Sequence, residues 1–144
     1  MNDQTRPGII VVGVGGSPTA EAALQWAIRE AARTHQRLHA VTVRRSDEPE
    51  DKRLAQHVSD VGHDHPGVPL RHRVLRGPVG QALVEESETA AMLVVGSHGM
   101  SRVLSALLGS VSAYCVRHAR CPVVVVPAVM AGTAPAALTP GPLL

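Results

Sequence analysis

The sequence predicts an α/β domain: a single, doubly wound, five-stranded parallel sheet with strand order 3-2-1-4-5. The apolar, β-branched run Ile9 to Val14 shows no alternation, which describes a strand buried on both faces, and Val123 to Val126 is a further unbroken apolar run. Helix-period segments separate the strand runs, so strands and helices alternate along the chain. Right-handed crossovers between parallel strands then make 3-2-1-4-5 the economical winding. A length of 144 residues suits one domain with one core.

The first strand, Ile9 to Val14, ends at the turn residues Gly15-Gly16-Ser17-Pro18. A helix is expected from Thr19 to His35, with Ala23, Trp26, Ala27, Glu30 and Ala31 at helical spacing, Ser17 as N-cap and Pro18 at the first helical position. The second strand reads Leu38 to Val43. Asp47 to Gly62 is polar with weak helical spacing (Leu54, Val58, Val61), which predicts a short or frayed helix broken by Pro66 and Pro69. The third strand is Leu70 to Leu75; Gly77-Pro78 opens a helix carrying Val79, Leu83, Val84 and Ser87 on one face. Met92 to Val95 is the fourth strand, Ser110 to His118 the last helix, and Val123 to Val126, fenced by Pro122 and Pro127, the fifth strand. Residues 1–7 are expected to be flexible, 8–127 to form the domain, and 128–144 to be a disordered tail without periodicity.

Composition narrows the function. Fourteen basic and 12 acidic side chains leave a net charge of +2, too little to grip nucleic acid, and one Trp, one Tyr and no Phe supply no stacking platform for bases. No apolar run reaches the ~18 residues of a membrane helix, and Met1 to Pro7 lacks the layout of a signal peptide, so a cytoplasmic address is expected. Cys115 and Cys121 fit buried packing in a reducing compartment; their spacing is not that of a C-x-x-C redox pair.

In the predicted strand order the switch point falls between strands one and four, where a ligand crevice opens beyond their carboxyl ends. Two loops border it. The first, Gly13 to Ser17, fails as a dinucleotide fingerprint because Pro18 stands where the third glycine of G-x-G-x-x-G belongs; Arg44 and Arg45 follow the second strand where an NAD site wants an acid. No Gly-Lys-Ser/Thr follows, so it is no Walker loop either. The second, Gly96 to Ser112, carries Gly96, Gly99 and Gly109-Ser110. Glycines let a backbone approach a ligand, successive amides form an anion nest, and the helix opening at Ser110 favours phosphate, with Ser110 and Ser112 as further hydroxyl donors. Any one of these residues alone would serve only the turn or cap the helix.

The spacing G-x2-G-x9-G-S (Gly96, Gly99, Gly109, Ser110) resembles the ATP-binding signature of the universal stress protein family. Supporting stretches are I-I-V-V-G-V-x-G-S-P from Ile9, V-L-R-G-P from Val74, L-L-G-S-V-S from Leu107 and C-P-V-V-V-V-P from Cys121. The resemblance spans about Ile9 to Pro127. It implies a Rossmann-like, adenine nucleotide alpha hydrolase-like fold, a cytosolic homodimer, and a regulator or sensor in the stress response. It further implies binding of ATP or another adenine nucleotide, with Mg2+ as accompanying ion. Gly96, Gly99 and the adjoining Val95 would approach ribose and phosphates; Gly109, Ser110, Val111 and Ser112 would hold phosphates; Val43, Gly13 and Val14 would line the adenine side. One departure stands out: where the family has Asp in V-D-G-S, this chain has Gly15. Losing a charged hydrogen-bond partner there costs ~1.5–3 kcal/mol, one to two decades of affinity, so weak ATP binding is expected. The alternative is a nucleotide-free dimeric interaction module.

Other residues carry weaker signals. Arg102 reaches a phosphate or remains a solvated loop charge. His98 lies in the glycine loop without an assigned catalytic role, and it is all that a hydrolase reading would have near Gly96 to Gly109. No paired carboxylates or Ser-His-Asp set accompanies the crevice, so at most slow ATP hydrolysis or autophosphorylation is expected. His63-Asp64-His65 reads as a solvated polar loop rather than a metal site. Arg71, Arg73 and Arg76 read as one exposed face of an edge strand, and Trp26 and Tyr114 as core or interface. An uncovered valine edge would aggregate, so Val123 to Val126 is expected to pair with its copy across a two-fold axis.

Overall fold

Apolar runs flanked by Gly, Pro and Ser become the strands of one parallel sheet. In the computed structural model, which describes residues 8–98 and 108–127, these are β1 (Ile9–Gly13), β2 (Arg37–Arg44), β3 (Leu70–Arg76), β4 (Met92–Gly96) and β5 (Val123–Val126). They pair in the order β3-β2-β1-β4-β5, every neighbour parallel, as expected from the alternation of elements. Residues 1–7 and 128–144, expected as flexible ends, lie outside the described residues.

Between the strands run α1 (Pro18–Thr34), α2 (Lys52–Asp64), α3 (Val79–Glu86) and α4 (Ser110–His118). The Ser17 hydroxyl accepts from the Ala20 amide at 3.1 Å, and Pro18 occupies the first turn, where its missing N–H costs nothing. At the far end of α1, His35 adopts the left-handed conformation (φ 55°) that closes a helix.

Strand side chains alternate between two packed faces. Ile10, Val12, Leu38, Ala40 and Val94 cluster with Ala23, Leu24, Ala27, Ile28 and Ala31 of α1 and with Val58 and Val61 of α2. Val11, Val41, Leu93 and Val95 cluster with Leu83 of α3 and Cys115 of α4. Each fully buried Leu or Ile contributes ~1.5–3 kcal/mol. Trp26 packs against the first cluster and Cys121 against the second, in line with their packing roles. Tyr114 is 38% exposed and packs on the His118 ring, centroids 4.3 Å apart.

Two expectations need correction. The helix expected to be short or frayed is 13 residues long. Its start is fixed by Asp51, whose carboxylate accepts from the Arg53 and Leu54 amides at 3.0 and 3.1 Å, and only Val58 and Val61 need burial to hold it. Second, Arg71, Arg73 and Arg76 do not share a face: strand side chains alternate with period two, so Arg76 points opposite to the other two. Its guanidinium donates to the Arg45 and Glu48 carbonyls and fastens the loop leading to α2. No helix among the described residues is long and apolar enough to cross a membrane.

Candidate functional site

The sheet order places the switch point between β1 and β4, and a cleft of about 650 Å³ opens there. Its floor is Gly13 and Val14 after β1, Val41 and Val43 of β2, and Val95, Gly96, Ser97 and His98 from β4 onward. Gly15, Ser17 and Ala20 border one side; Val79 and Leu83 of α3 wall another; Leu108, Gly109, Ser110, Val111 and Ser112 close the mouth. Ten of the expected site residues therefore meet in one space: Gly13, Val14, Gly15, Val43, Val95, Gly96, Gly109, Ser110, Val111 and Ser112. The other two, Gly99 and Arg102, lie outside the described residues.

Ser97 organises the mouth. Its carbonyl accepts from the Gly109 amide at 2.6 Å and from the Ser112 hydroxyl at 2.9 Å, while its amide donates to the Val126 carbonyl at 2.9 Å. The Ser112 hydroxyl also reaches the Gly109 carbonyl at 3.1 Å. Ser112 is 1% exposed, so its hydroxyl fixes the start of α4 and is not a donor for a ligand, contrary to the expectation from the loop sequence. Ser110 is exposed and lines the cleft. Gly109 caps α4 without a side-chain hydrogen bond. The amides of Ser110, Val111 and Ser112 have no partner among the described residues, and they project the positive end of the helix dipole.

Gly96 plays a part beyond letting a ligand approach. A Cβ there would lie 2.6 Å from the Thr19 carbonyl carbon and 2.8 Å from the Ala20 amide, so the backbone of α1 takes that space. The Thr19 hydroxyl donates to the His98 carbonyl and ties α1 to the chain leaving β4. Gly15 is the opposite case: nothing lies within 4 Å of a Cβ placed on it, and its backbone conformation suits any residue.

Among the described lining residues there is no Lys, Arg, Asp or Glu. Helix amides, serine hydroxyls and carbonyls make up the polar part; His98, whose Nδ1 is 3.1 Å from the Ser97 hydroxyl, is the titratable side chain. Ser97 and Leu83 were missed in the sequence because their roles depend on long-range contacts; Leu83 reads there only as one of an apolar helix face.

Residues 8–65 and 45–127 match the profile of the Universal stress protein family. The chain belongs to the universal stress protein family. A universal stress protein of Mycobacterium tuberculosis is 33% identical over 156 residues, covering 86% of this chain and 49% of the relative. The chain thus spans about half the length of the curated relatives it matches. A universal stress protein solved in complex with cAMP is 28% identical, with a TM-score of 0.73 over 85% of this chain and 98% of that one. The universal stress protein from Archaeoglobus fulgidus in complex with dAMP, 19% identical, shares the fold at a TM-score of 0.63, covering 84% and 98% of the two chains.

Proposed function

We propose that this universal stress protein binds an adenine nucleotide in the cleft between β1 and β4, weakly, and acts as a dimeric regulator rather than a turnover enzyme. The observation that carries this is the unpartnered first turn of α4, Ser110 to Ser112, at the mouth of an apolar cleft of nucleotide size. The amides of Ser110, Val111 and Ser112 would hold the phosphates, and Val43, Gly13 and Val14 would line the side that takes the base. The cAMP and dAMP complexes of the two solved relatives support an adenine ligand.

ATP is the expected member of that class, with affinity reduced by Gly15. The described lining offers Mg2+ hydroxyl and carbonyl oxygens but no carboxylate, so the ion would arrive with the nucleotide's phosphates and be held chiefly by them. Dimerisation pairs β5 with a second copy. All four of its valines are only half buried, as an uncovered sheet edge leaves them. A cytoplasmic location completes the reading. Gly15 also favours a second reading, in which the cleft holds no nucleotide and the protein is a dimeric interaction module.

Titrating a fluorescent adenine nucleotide into the protein separates the two. Saturation in the micromolar to millimolar range supports nucleotide binding, and a flat response through millimolar ligand supports the interaction module. Light scattering in the same buffer should report a dimer; a stable monomer at micromolar protein removes the β5 pairing.

A further inference from the structure

Among the described residues β3 ends the sheet, and its outer edge has a defined register. The Leu38 amide donates to the Pro69 carbonyl and the Gly77 amide to the Arg44 carbonyl, so the odd-numbered residues of the strand turn their backbone groups toward β2. In a parallel ladder the alternate residues then face outward. The N–H and C=O groups of His72 and Val74 point away from the sheet, and Val74 is 37% exposed.

The side chains beside this edge carry one charge sign on the face toward α3. Arg71 and Arg73 are both exposed there, and Arg37 lies one strand inward on the same side. His39, registered against Arg71, is held below its usual pKa by burial first and then by Arg37 and Arg71. Glu86 answers part of this charge through Arg73 at 2.7 Å, leaving Arg37 and Arg71 without an ion pair among the described residues.

We propose that the outer edge of β3 takes up an extended acidic segment of a partner protein by strand addition. Its backbone would run antiparallel to β3, so that the residues opposite His72 and Val74 exchange both N–H and C=O bonds with them. Carboxylates at alternate positions would face Arg71 and Arg73, and the intervening apolar residues would cover Val74. Charge excludes the nearer candidates. A second copy of β3 would set Arg71 and Arg73 against their own equivalents, and like charges across strands repel. Residues 128–144 contain no acid, and residues 1–7 carry one Asp beside one Arg. The arginines that keep the edge from pairing with itself are therefore the ones that admit an acidic strand.

Fluorescence anisotropy with a labelled peptide of alternating Glu and Val tests this on the full chain. The peptide should bind, and Arg71→Glu/Arg73→Glu should weaken it by about tenfold, as two cross-strand charge pairs turn repulsive. Arg71→Gln/Arg73→Gln should weaken it less, and unchanged circular dichroism certifies the fold of both variants. A peptide with the same Glu positions and Pro in place of Val should fail, because it cannot donate to the ladder. Amide exchange should slow at His72 and Val74 when the alternating peptide is bound. Equal binding of the Pro peptide, unchanged exchange at those amides, indifference to the charge reversal, or no binding at millimolar peptide would each overturn the proposal. So would tighter binding of single-stranded oligothymidine through the same arginines.

Discussion

Gly96 at the end of β4 and Thr19 in the first turn of α1 touch backbone to backbone: the position of a Gly96 Cβ lies 2.6 Å from the Thr19 carbonyl carbon. The helix that carries the first cleft loop is thereby seated on the strand that carries the second. Gly96→Ala should push α1 off β4 and destabilise the protein by ~1–3 kcal/mol, the range for overpacking a tight site. Chemical denaturation measures it. An unchanged midpoint would mean that the two elements have room to separate.

Gly15→Asp should tighten adenine-nucleotide binding about tenfold to a hundredfold, since the carboxylate restores a charged hydrogen-bond partner worth ~1.5–3 kcal/mol. The site can take it: nothing lies within 4 Å of the added Cβ, and no left-handed backbone is required. Comparing dissociation constants of the two proteins decides the matter. Unchanged affinity would place the nucleoside away from the first loop.

The strand order was legible because β1 and β4 are unbroken apolar runs, buried through their middle residues, which have few other readings, and β5 is a further unbroken apolar run although its valines are only half buried. The bounds of α4 were legible from Gly109 before it and the apolar spacing within it. What escaped depends on pairs far apart in the chain. Asp51 is one of several acids between Asp47 and Asp51, and only its hydrogen bonds to Arg53 and Leu54 single it out as the cap of α2. The serine at 112 reads as a phosphate donor until the Ser97 carbonyl, 15 residues away, is found against its hydroxyl. Likewise Gly96 reads as a ligand contact until α1 is seen on top of it.

The two serines of α4 should separate stability from binding. Ser112→Ala removes a buried hydroxyl, yet the Ser97 carbonyl keeps the Gly109 amide and the Gly109 carbonyl keeps the Ala113 amide. No acceptor is orphaned, so the loss should be ~0.5–1.5 kcal/mol. Ser110→Ala, at an exposed position, should leave stability within ~0.5 kcal/mol and act on nucleotide affinity alone. Thermal unfolding and a nucleotide titration of both variants give the two numbers. A stability loss confined to Ser110→Ala would reverse the assignment.

The thiols should differ in reactivity. Cys115 is fully buried, and burial, with a smaller contribution from Cys121, pushes its pKa up to about 11. The thiolate that attacks an alkylating reagent is therefore scarce as well as inaccessible at neutral pH. Cys121 is only partly buried. Iodoacetamide on the folded protein should label Cys121 first, with Cys115 reacting only as the protein unfolds. Peptide mass spectrometry over time reads the order, and simultaneous labelling would show that α4 opens readily.

Stability should fall as the solution is acidified through the histidine range. His72 is held below its usual pKa of 6.5 by burial, and its Nε2 lies 2.8 Å from the Thr42 hydroxyl; His39 is shifted in the same direction. The unfolded chain binds protons at both positions before the folded one does, so folding releases protons and stability rises with pH in this window. The melting temperature should drop between about pH 7.5 and about pH 5.5, and the slope should flatten in His39→Gln/His72→Gln. Above the unfolded value both states are neutral and the two histidines add no slope. A double variant as pH-sensitive as the parent would assign the effect to other groups, and a melting temperature that rose on acidification would contradict the burial of His72.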